Sequence, residues 1–272
     1  LDLARGFDIG LASPLNIAFG GEFRRETYEI HEGDPASRYK VGVAAYPGFA
    51  LTDAGKHSRN NVAGYIDLAV KPVEKLQLDA AGRFEHFNDF GNTLVGKLTG
   101  RYDVSPVFAL RGTVSTGFRA PTLAEQYYSA TSVSPTTASV RLPANSAAAR
   151  LLGFTGLKPE KSTNFSAGIA LHPARKLSAT LDVYQISIRD RIVSTGSIFG
   201  LQTIGGVRIV RSQAVTDAIT ANGNTIDPTV TSTSISTYVN GANSRTRGVE
   251  LVVNYGAPLA GDATIDWTLT GN

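Results

Sequence analysis

The chain has 272 residues, 18% of them charged, with a formal net charge of +3 and neither Cys nor Met. The lack of Cys excludes disulfide frameworks, thiolate metal sites and cysteine nucleophiles, and the 26 basic residues, spread without a run of five or more, argue against a nucleic-acid partner. No window approaches 18 uninterrupted apolar residues, which excludes a transmembrane helix, whereas a mean hydropathy of −0.05 is compatible with membrane strands that alternate in polarity.

In chain order, residues 2–11 and 15–29 read as strands, followed by four with clear period-two alternation. Their apolar faces are Val62, Gly64, Ile66, Leu68 and Val70; Leu76, Leu78, Ala80, Gly82, Phe84 and His86; Leu94, Gly96, Leu98, Gly100 and Tyr102; and Phe108, Leu110, Gly112, Val114, Thr116 and Phe118. None of these positions is Asp, Glu, Lys or Arg. The opposite faces carry Asp67, Lys71, Lys75, Asp79, Arg83, Glu85, Lys97, Arg101, Arg111 and Arg119. A Lys or Arg facing lipid at mid-bilayer costs ~2–4 kcal/mol, so this segregation assigns Leu76, Leu78, Leu94, Leu98, Leu110 and Val114 to lipid and Arg111 and Arg119 to the lumen. Residues 160–171, 177–190, 237–255 and 263–270 complete about ten strands. Within 177–190 the apolar face changes sides, from Leu177, Ala179, Leu181 and Val183 to Ile186 and Ile188; a β-bulge near Tyr184 or extension of the strand past the bilayer accounts for it.

Connection lengths decide what the alternation means. The same pattern suits a soluble all-β protein with its apolar face turned into a core. Here short turns at Ser13-Pro14, Lys71–Glu74, Asp103–Pro106, His172–Lys176 and Gly256–Asp262 alternate with long connections at 31–60, 119–157 and 191–235, Asn88–Gly91 being the one short exception. The long connections therefore share one end of the strands, as extracellular loops do in outer-membrane barrels. Within them, Ala144–Leu152 has the composition of one or two helical turns, and the Ser/Thr-rich residues 129–139 and 231–237 read as hydrated loop tips. The fold class is all-β: part of a large antiparallel transmembrane barrel.

The segment Ser115-Thr116-Gly117-Phe118-Arg119-Ala120-Pro121-Thr122-Leu123-Ala124-Glu125-Gln126, where a strand ends and a loop opens, resembles a signature of TonB-dependent outer-membrane receptors. So, in family order, do Gly20–Ile30 with Gly33–Ser37, Ala81–Gly91, Leu157-Lys158-Pro159-Glu160-Lys161-Ser162-Thr163-Asn164, Val239-Asn240-Gly241-Ala242, and Thr246-Arg247-Gly248-Val249-Glu250-Leu251. The resemblance covers most of residues 15–255. It implies a plugged barrel of ~22 strands that takes up a scarce nutrient, such as a ferric siderophore, across the outer membrane of a Gram-negative bacterium. Energy would come from the inner-membrane TonB complex. Residues 1–272 would be a partial barrel domain, with the plug, the TonB box and the remaining strands outside it. The partners implied are outer-membrane lipid, a small nutrient ligand and the TonB complex.

As an enzyme the sequence offers little. His31, His57, His86 and His172 are far apart with no metal-binding spacing, so no metal and no cofactor are expected. Asp89 with Asn92, and Asn222-Gly223-Asn224 with Asp227, fit turn chemistry better than calcium loops. Arg119, at the outer end of its strand on the lumen side, reads either as a solvated rim cation or as a partner for a plug carboxylate or an anionic ligand. Glu125, Gln126, Tyr127 and Tyr128 follow it into the loop, where the tyrosines are placed to stack on a ligand or to join the outer aromatic girdle. The competing functions are a passive porin or structural barrel, which lacks a plug, and a soluble all-β binding protein.

Overall fold

A computed structural model describes residues 1–38, 48–133, 136–226, 228–258 and 264–272. Its elements are β1 (Asp2–Phe7), β2 (Leu15–Ile30), α1 (Pro35–Arg38), β3 (Gly55–Val73), β4 (Leu76–Phe87), β5 (Gly91–Ser105), β6 (Phe108–Arg119), α2 (Leu123–Tyr127), β7 (Ala130–Val133), β8 (Thr137–Arg141), α3 (Ala147–Leu151), β9 (Glu160–Ala174), β10 (Leu177–Ser194), β11 (Ile198–Ile204), β12 (Val207–Val210), α4 (Gln213–Ala221), β13 (Ser232–Ser236), β14 (Tyr238–Pro258) and β15 (Thr264–Gly271).

Ten strands form one antiparallel wall in the order β1-β2-β3-β4-β5-β6-β9-β10-β14-β15, each hydrogen-bonded to the next wall strand in the chain. These are the ten strands expected from alternation. The wall is an open arc of a barrel, with β1 and β15 at its two edges. A membrane strand needs ~9–11 residues; β3 has 19 and β14 has 21, so the wall projects well past the bilayer. At the short-turn end, residues 259–262 of the expected Gly256–Asp262 turn lie outside the described residues.

Register fixes the two faces. One row runs Ile17, Leu68, Ala80, Leu98, Val114, Phe165, Gln185, Arg247 across eight strands. It starts near the short-turn end on β2 and finishes toward the long-loop end on β14, as strand tilt requires. Leu94 and Leu98 are 76% and 52% exposed on this outward face, and Phe19, Phe23, Ile66, Phe84, Leu110, Val114, Phe165, Val183 and Val249 are exposed beside them. Tyr255 stands opposite Trp267 near the short-turn end, both exposed, where an interfacial aromatic girdle belongs. Phe118 departs from this arrangement: it meets Phe87 edge-on at 6.0 Å and is half-buried at the top of the wall.

The inner face pairs its charges. Arg83 joins Glu22 at 2.9 Å and Glu85 at 2.7 Å, Arg24 joins Glu22 at 2.6 Å, and Lys97 lies 3.5 Å from Asp79. Arg111 reaches across β9 to Asp182, passing over Gly168, where any Cβ would overlap the Asp182 carboxylate. Tyr184 likewise lies on Gly248, its cross-strand partner, so that an aromatic ring covers backbone that a glycine leaves bare.

The bulge expected near Tyr184 is absent. Pairing of β10 with β9 is continuous from Ala179 to Arg189, and the irregularity falls between Ile188 and Ile192 on the β14 side, around Asp190 at φ 57°. Ile186 and Ile188 therefore stay on the inner face with Asp182, above the level at which the outward face is apolar. The change of side marks the strand leaving the bilayer.

The long connections are structured too. β12-β11-β13-β8-β7 form a second sheet, with β13 and β8 parallel. The described residues of 129–139 and 231–237 are thus not all hydrated tips: Ser129, Thr233, Ser234 and Thr237 are buried, and Thr and Ser alternate with Ala138, Val140 and Ile235 in strands. β-Branched Thr and Ile fit a pleated, half-buried surface. The helix expected in 144–152 is α3. The buried apolar cluster, Val140, Leu142, Ala148, Val215, Ala218, Ile219 and Ile235, belongs to this loop layer, with α4 packed on the second sheet and α3 on α4. Each fully buried Leu or Ile there contributes roughly 1.5–3 kcal/mol.

The faces make unequal demands on neighbouring positions. In the full-length protein, Leu98→Arg is expected to destabilise the membrane-inserted state by ~2–4 kcal/mol. Lys97→Glu is expected to shift it by no more than ~1 kcal/mol, since Lys97 is exposed on the face turned away from lipid. Equilibrium folding into lipid vesicles, read by heat-modifiable gel mobility, checks both; equal effects would contradict the face assignment.

Candidate functional site

The site is the junction where the loop layer rests on the inner face of the wall, and a continuous polar network builds it. Arg59 on β3 is 5% exposed. Its guanidinium is ion-paired with Glu26, donates to the Pro121 carbonyl at 2.6 Å, and lies 3.6 Å from Asp89. Phe87 and Phe90 hold it from the sides, 5.3 and 5.8 Å from its centre. Asp89 accepts from Gln126 Nε2 at 2.9 Å, and Gln126 Oε1 accepts from Asn145 Nδ2 at 2.6 Å. Asn145 Oδ1 in turn accepts from the Leu157 amide. The network begins on the wall and ends at the far side of the 120–159 connection.

Local geometry supports it. Gly91 adopts φ 90° and closes the tight connection between β4 and β5, which presents Asp89 inward. Thr122 caps α2 by accepting from the Glu125 amide, and Glu125 reaches back to the Thr122 amide, a reciprocal capping box.

Glu125 also meets Arg119. The guanidinium spans Glu125 at 3.0 Å through both nitrogens and Glu160 on β9 at 2.6 Å, while Glu160 accepts from the Ile192 amide as well. Partial burial opposes ionisation of Glu125, yet the hydrogen bonds from Arg119 and Thr122 outweigh it and hold the carboxyl below its ordinary 4.5. Arg119, 43% exposed, is engaged by two carboxylates. It joins the start of one loop to the end of the same loop.

Other candidates are equally engaged. Arg111 lies lower on the inner wall with Asp182. Gln126 is 2% exposed. Tyr127 stacks on His57, centroids 3.8 Å apart and planes within 5°, and Tyr128 meets Phe49 edge-on at 6.0 Å. Both tyrosines pack between the wall and the loops. Of the two sets proposed as turns, Asn222 ends α4 and Gly223 turns at φ 87°, while Asn224 accepts from Thr52 and Thr131; Asp227 lies outside the described residues. His86 Nδ1 is 2.7 Å from Asn92 Oδ1.

Two further nodes were not legible in sequence. Asp53, 3% exposed, accepts from the Ser129 and Thr131 hydroxyls and from the Ala50 and Thr131 amides, joining two loops. Asn240 accepts from the Lys158 amide at 2.8 Å and donates to the Lys158 and Asp190 carbonyls. A small concavity, about 230 Å³, opens beside it, lined by Phe154, Lys158, Asp190 and Tyr238. Lys158 and Asn240 stand in segments singled out above by their resemblance, whereas Asp53 and Arg59 fall within the stretch 31–60 read as a long connection.

Comparison with known proteins agrees with this geometry. The family model "TonB dependent receptor-like, beta-barrel" matches residues 1–272. The iron-regulated outer membrane virulence protein of Vibrio cholerae serotype O1 is 28% identical over 148 residues, 54% of this chain and 21% of that protein. Among solved structures, the siderophore receptor PirA from Acinetobacter baumannii aligns over 99% of this chain and 35% of its own, at TM-score 0.61 and 16% identity. The ferric enterobactin receptor PfeA from Pseudomonas aeruginosa, a mutant in complex with enterobactin, aligns over 99% and 34%, at TM-score 0.65 and 15% identity. The Serratia marcescens hemophore receptor HasR, with its hemophore HasA and heme, aligns over 94% and 38%, at TM-score 0.60 and 14% identity. The structural likenesses speak for the fold, and the chain spans about a third of the length of these receptors.

Removing one partner of a buried, hydrogen-bonded charge pair costs ~3–5 kcal/mol. Arg59→Gln in the full-length protein is expected to loosen the loop layer while leaving the wall assembled, which limited proteolysis of intact cells reads as faster cleavage within 120–159. Unchanged cleavage would show that the network does not hold the loops.

Proposed function

Because the chain belongs to the TonB-dependent receptor β-barrel family, we propose that it supplies part of the wall and outer loop layer of a receptor that captures a scarce nutrient and imports it with TonB-derived energy. The protein belongs to the outer membrane, and its family is one of receptors and transporters. One observation carries the reading: two long loops fold together around their own core and are fastened to a charge-paired inner wall through Arg59, Asp89, Arg119 and Glu160. A passive pore needs no such structured layer over its mouth. A receptor does, because the layer must hold a ligand outside and then change its contacts when transport begins.

The ligand class is an iron-bearing small molecule, a ferric siderophore or heme. Support comes from the relatives, which are named for iron regulation, ferric enterobactin, siderophores and heme. In this reading the plug, the TonB box and the remaining strands belong to the rest of the receptor, and energy reaches the loop layer through the plug. The inner wall suits passage of a polar ligand, since many of its charges are already paired and hold a transiting anion or cation weakly. The work is differential binding and gating rather than bond chemistry.

Cells expressing the full-length protein under iron limitation provide the test, with a panel of radiolabelled ferric siderophores and heme as probes. One probe is expected to bind these cells above a receptor-null background whether or not TonB is present, and to accumulate inside only when TonB is functional. Accumulation indifferent to TonB would identify a passive pore, and no binding by any probe would reject the ligand class.

A further inference from the structure

Helix α2 is five residues long, too short to hold its own position, yet three consecutive side chains fasten it to three different parts of the wall. Glu125 binds Arg119 at the end of β6, Gln126 donates to Asp89 in the connection between β4 and β5, and Tyr127 lies face to face on His57 of β3, ring centroids 3.8 Å apart and planes within 5°. Tyr128 then closes the helix by donating its amide to the Ala124 carbonyl, and Ser129 and Thr131 follow it to Asp53. Whatever holds Tyr127 therefore helps to hold the joint between the connections 31–60 and 119–157.

The three anchors differ in their response to protons. Partial burial opposes ionisation of Glu125, but the hydrogen bonds from Arg119 and Thr122 outweigh it; on Glu160 the Arg119 hydrogen bond is the leading influence. Both carboxyls are thus held below their ordinary 4.5, and the Arg119 anchor keeps its charges above that pH. The Gln126 amide has no proton to gain. His57 does, near neutral pH. Burial opposes the imidazolium and holds the ring below its ordinary 6.5.

The surroundings offer an imidazolium no compensation. Tyr28 stands directly opposite on β2, and burial, with the Tyr128 and Tyr238 phenols nearby, pushes its phenol above its ordinary 10.0, so it is neutral. Arg59 is a cation two residues along the same face, and its charge is answered by Glu26 on β2 and Asp89 beyond β4. From α2 come the Tyr127 ring and Glu125, which is turned to Arg119. Lys56 and its partner Glu29 lie on the outward face. Among the described residues no carboxylate pairs with His57.

We propose that His57 and Tyr127 form an acid-released latch: with the imidazole neutral the ring pair seats α2 on β3, and protonation lifts the Tyr127 end of the helix while Arg119 keeps the Glu125 end in place. Proton counting gives the direction. A lifted His57 regains water and its ordinary affinity for a proton, so the lifted form binds more protons than the seated one. Seating is complete above 6.5 and weakens as pH falls below it. Acid then loosens the joint at Asp53 but leaves the core of the loop layer, Val140, Leu142, Val215 and Ile219, intact. The latch operates whichever ligand the receptor carries.

Hydrogen exchange of the full-length receptor in nanodiscs, followed by mass spectrometry from about pH 4 to about pH 8 with rates corrected for the intrinsic pH dependence of amide exchange, tests the latch. Protection of segment 126–131 is expected to fall at least about threefold on acidification. The midpoint is expected below 6.5 and above 4.5, while β8 keeps its protection. His57→Phe keeps a ring against Tyr127 and removes the proton site, and is expected to hold the segment protected across the range. If that variant does not assemble, the midpoint in the unaltered receptor decides, since a loss centred at or below 4.5 belongs to carboxylates and overturns the latch. Protection indifferent to pH, or the same loss in His57→Phe, would overturn it too.

Discussion

An uncompensated charge cannot face hydrocarbon, and the rest of the structure depends on that constraint. Because side chains alternate across a strand, keeping Lys, Arg, Asp and Glu off one face places them on the other, where they crowd together. The wall resolves the crowding by pairing them: Arg83 with Glu22 and Glu85, Arg111 with Asp182, Arg24 with Glu22. Exposed pairs of this kind contribute little stability one at a time. Their consequence is a polar inner surface on which many of the charges are already paired.

Toward the long-loop end the same logic turns from neutralisation to attachment. Arg59 and Arg119 lie above the apolar rows, and their partners come from loops as well as strands. Arg59 takes Glu26 from the wall, the Pro121 carbonyl from one loop and Asp89 from a turn. Arg119 takes Glu125 and Glu160 from the two ends of one connection. Burying Arg59 is costly unless its partners are present, so the seating of the loop layer is coupled to the wall through this residue.

Much of this was legible in sequence, and the physics explains which parts. All ten wall strands were, because lipid on one side and water on the other imposes the strongest alternation a strand can carry, as in Leu94 to Tyr102. Loop asymmetry was legible because it needs only lengths. The loop sheet was not: Ser232–Ser236 and Thr137–Arg141 are short, rich in Ser and Thr, and pair in parallel across more than ninety positions of sequence. Their composition matches hydrated turns, and only Val140 and Ile235 packing on α4 makes them strands. Among site residues, Arg119 stood out by parity, but its two carboxylate partners come from positions that no local spacing connects. Arg59 was hidden because β3 begins at Gly55, seven residues before its apolar face does, where the strand has left the bilayer and the outward face no longer needs to be apolar. The face switch in β10 has the same cause.

The most direct test of the central claim is cysteine scanning along β9, for which this chain provides a background without cysteine. Single cysteines at positions 164–171 of the full-length receptor, its other cysteines replaced, would be challenged in outer membranes with a lipid-soluble and a membrane-impermeant thiol reagent. Alternation is expected: Phe165, Ala167, Ile169 and Leu171 positions react with the lipid-soluble reagent, and Asn164 and Ser166 positions with the aqueous one once the lumen is open to it, Gly168 and Ala170 being left out because a side chain at 168 meets Asp182 and Ala170 is buried. Alternation with the opposite phase, or uniform aqueous labelling, would contradict a lipid-facing apolar wall.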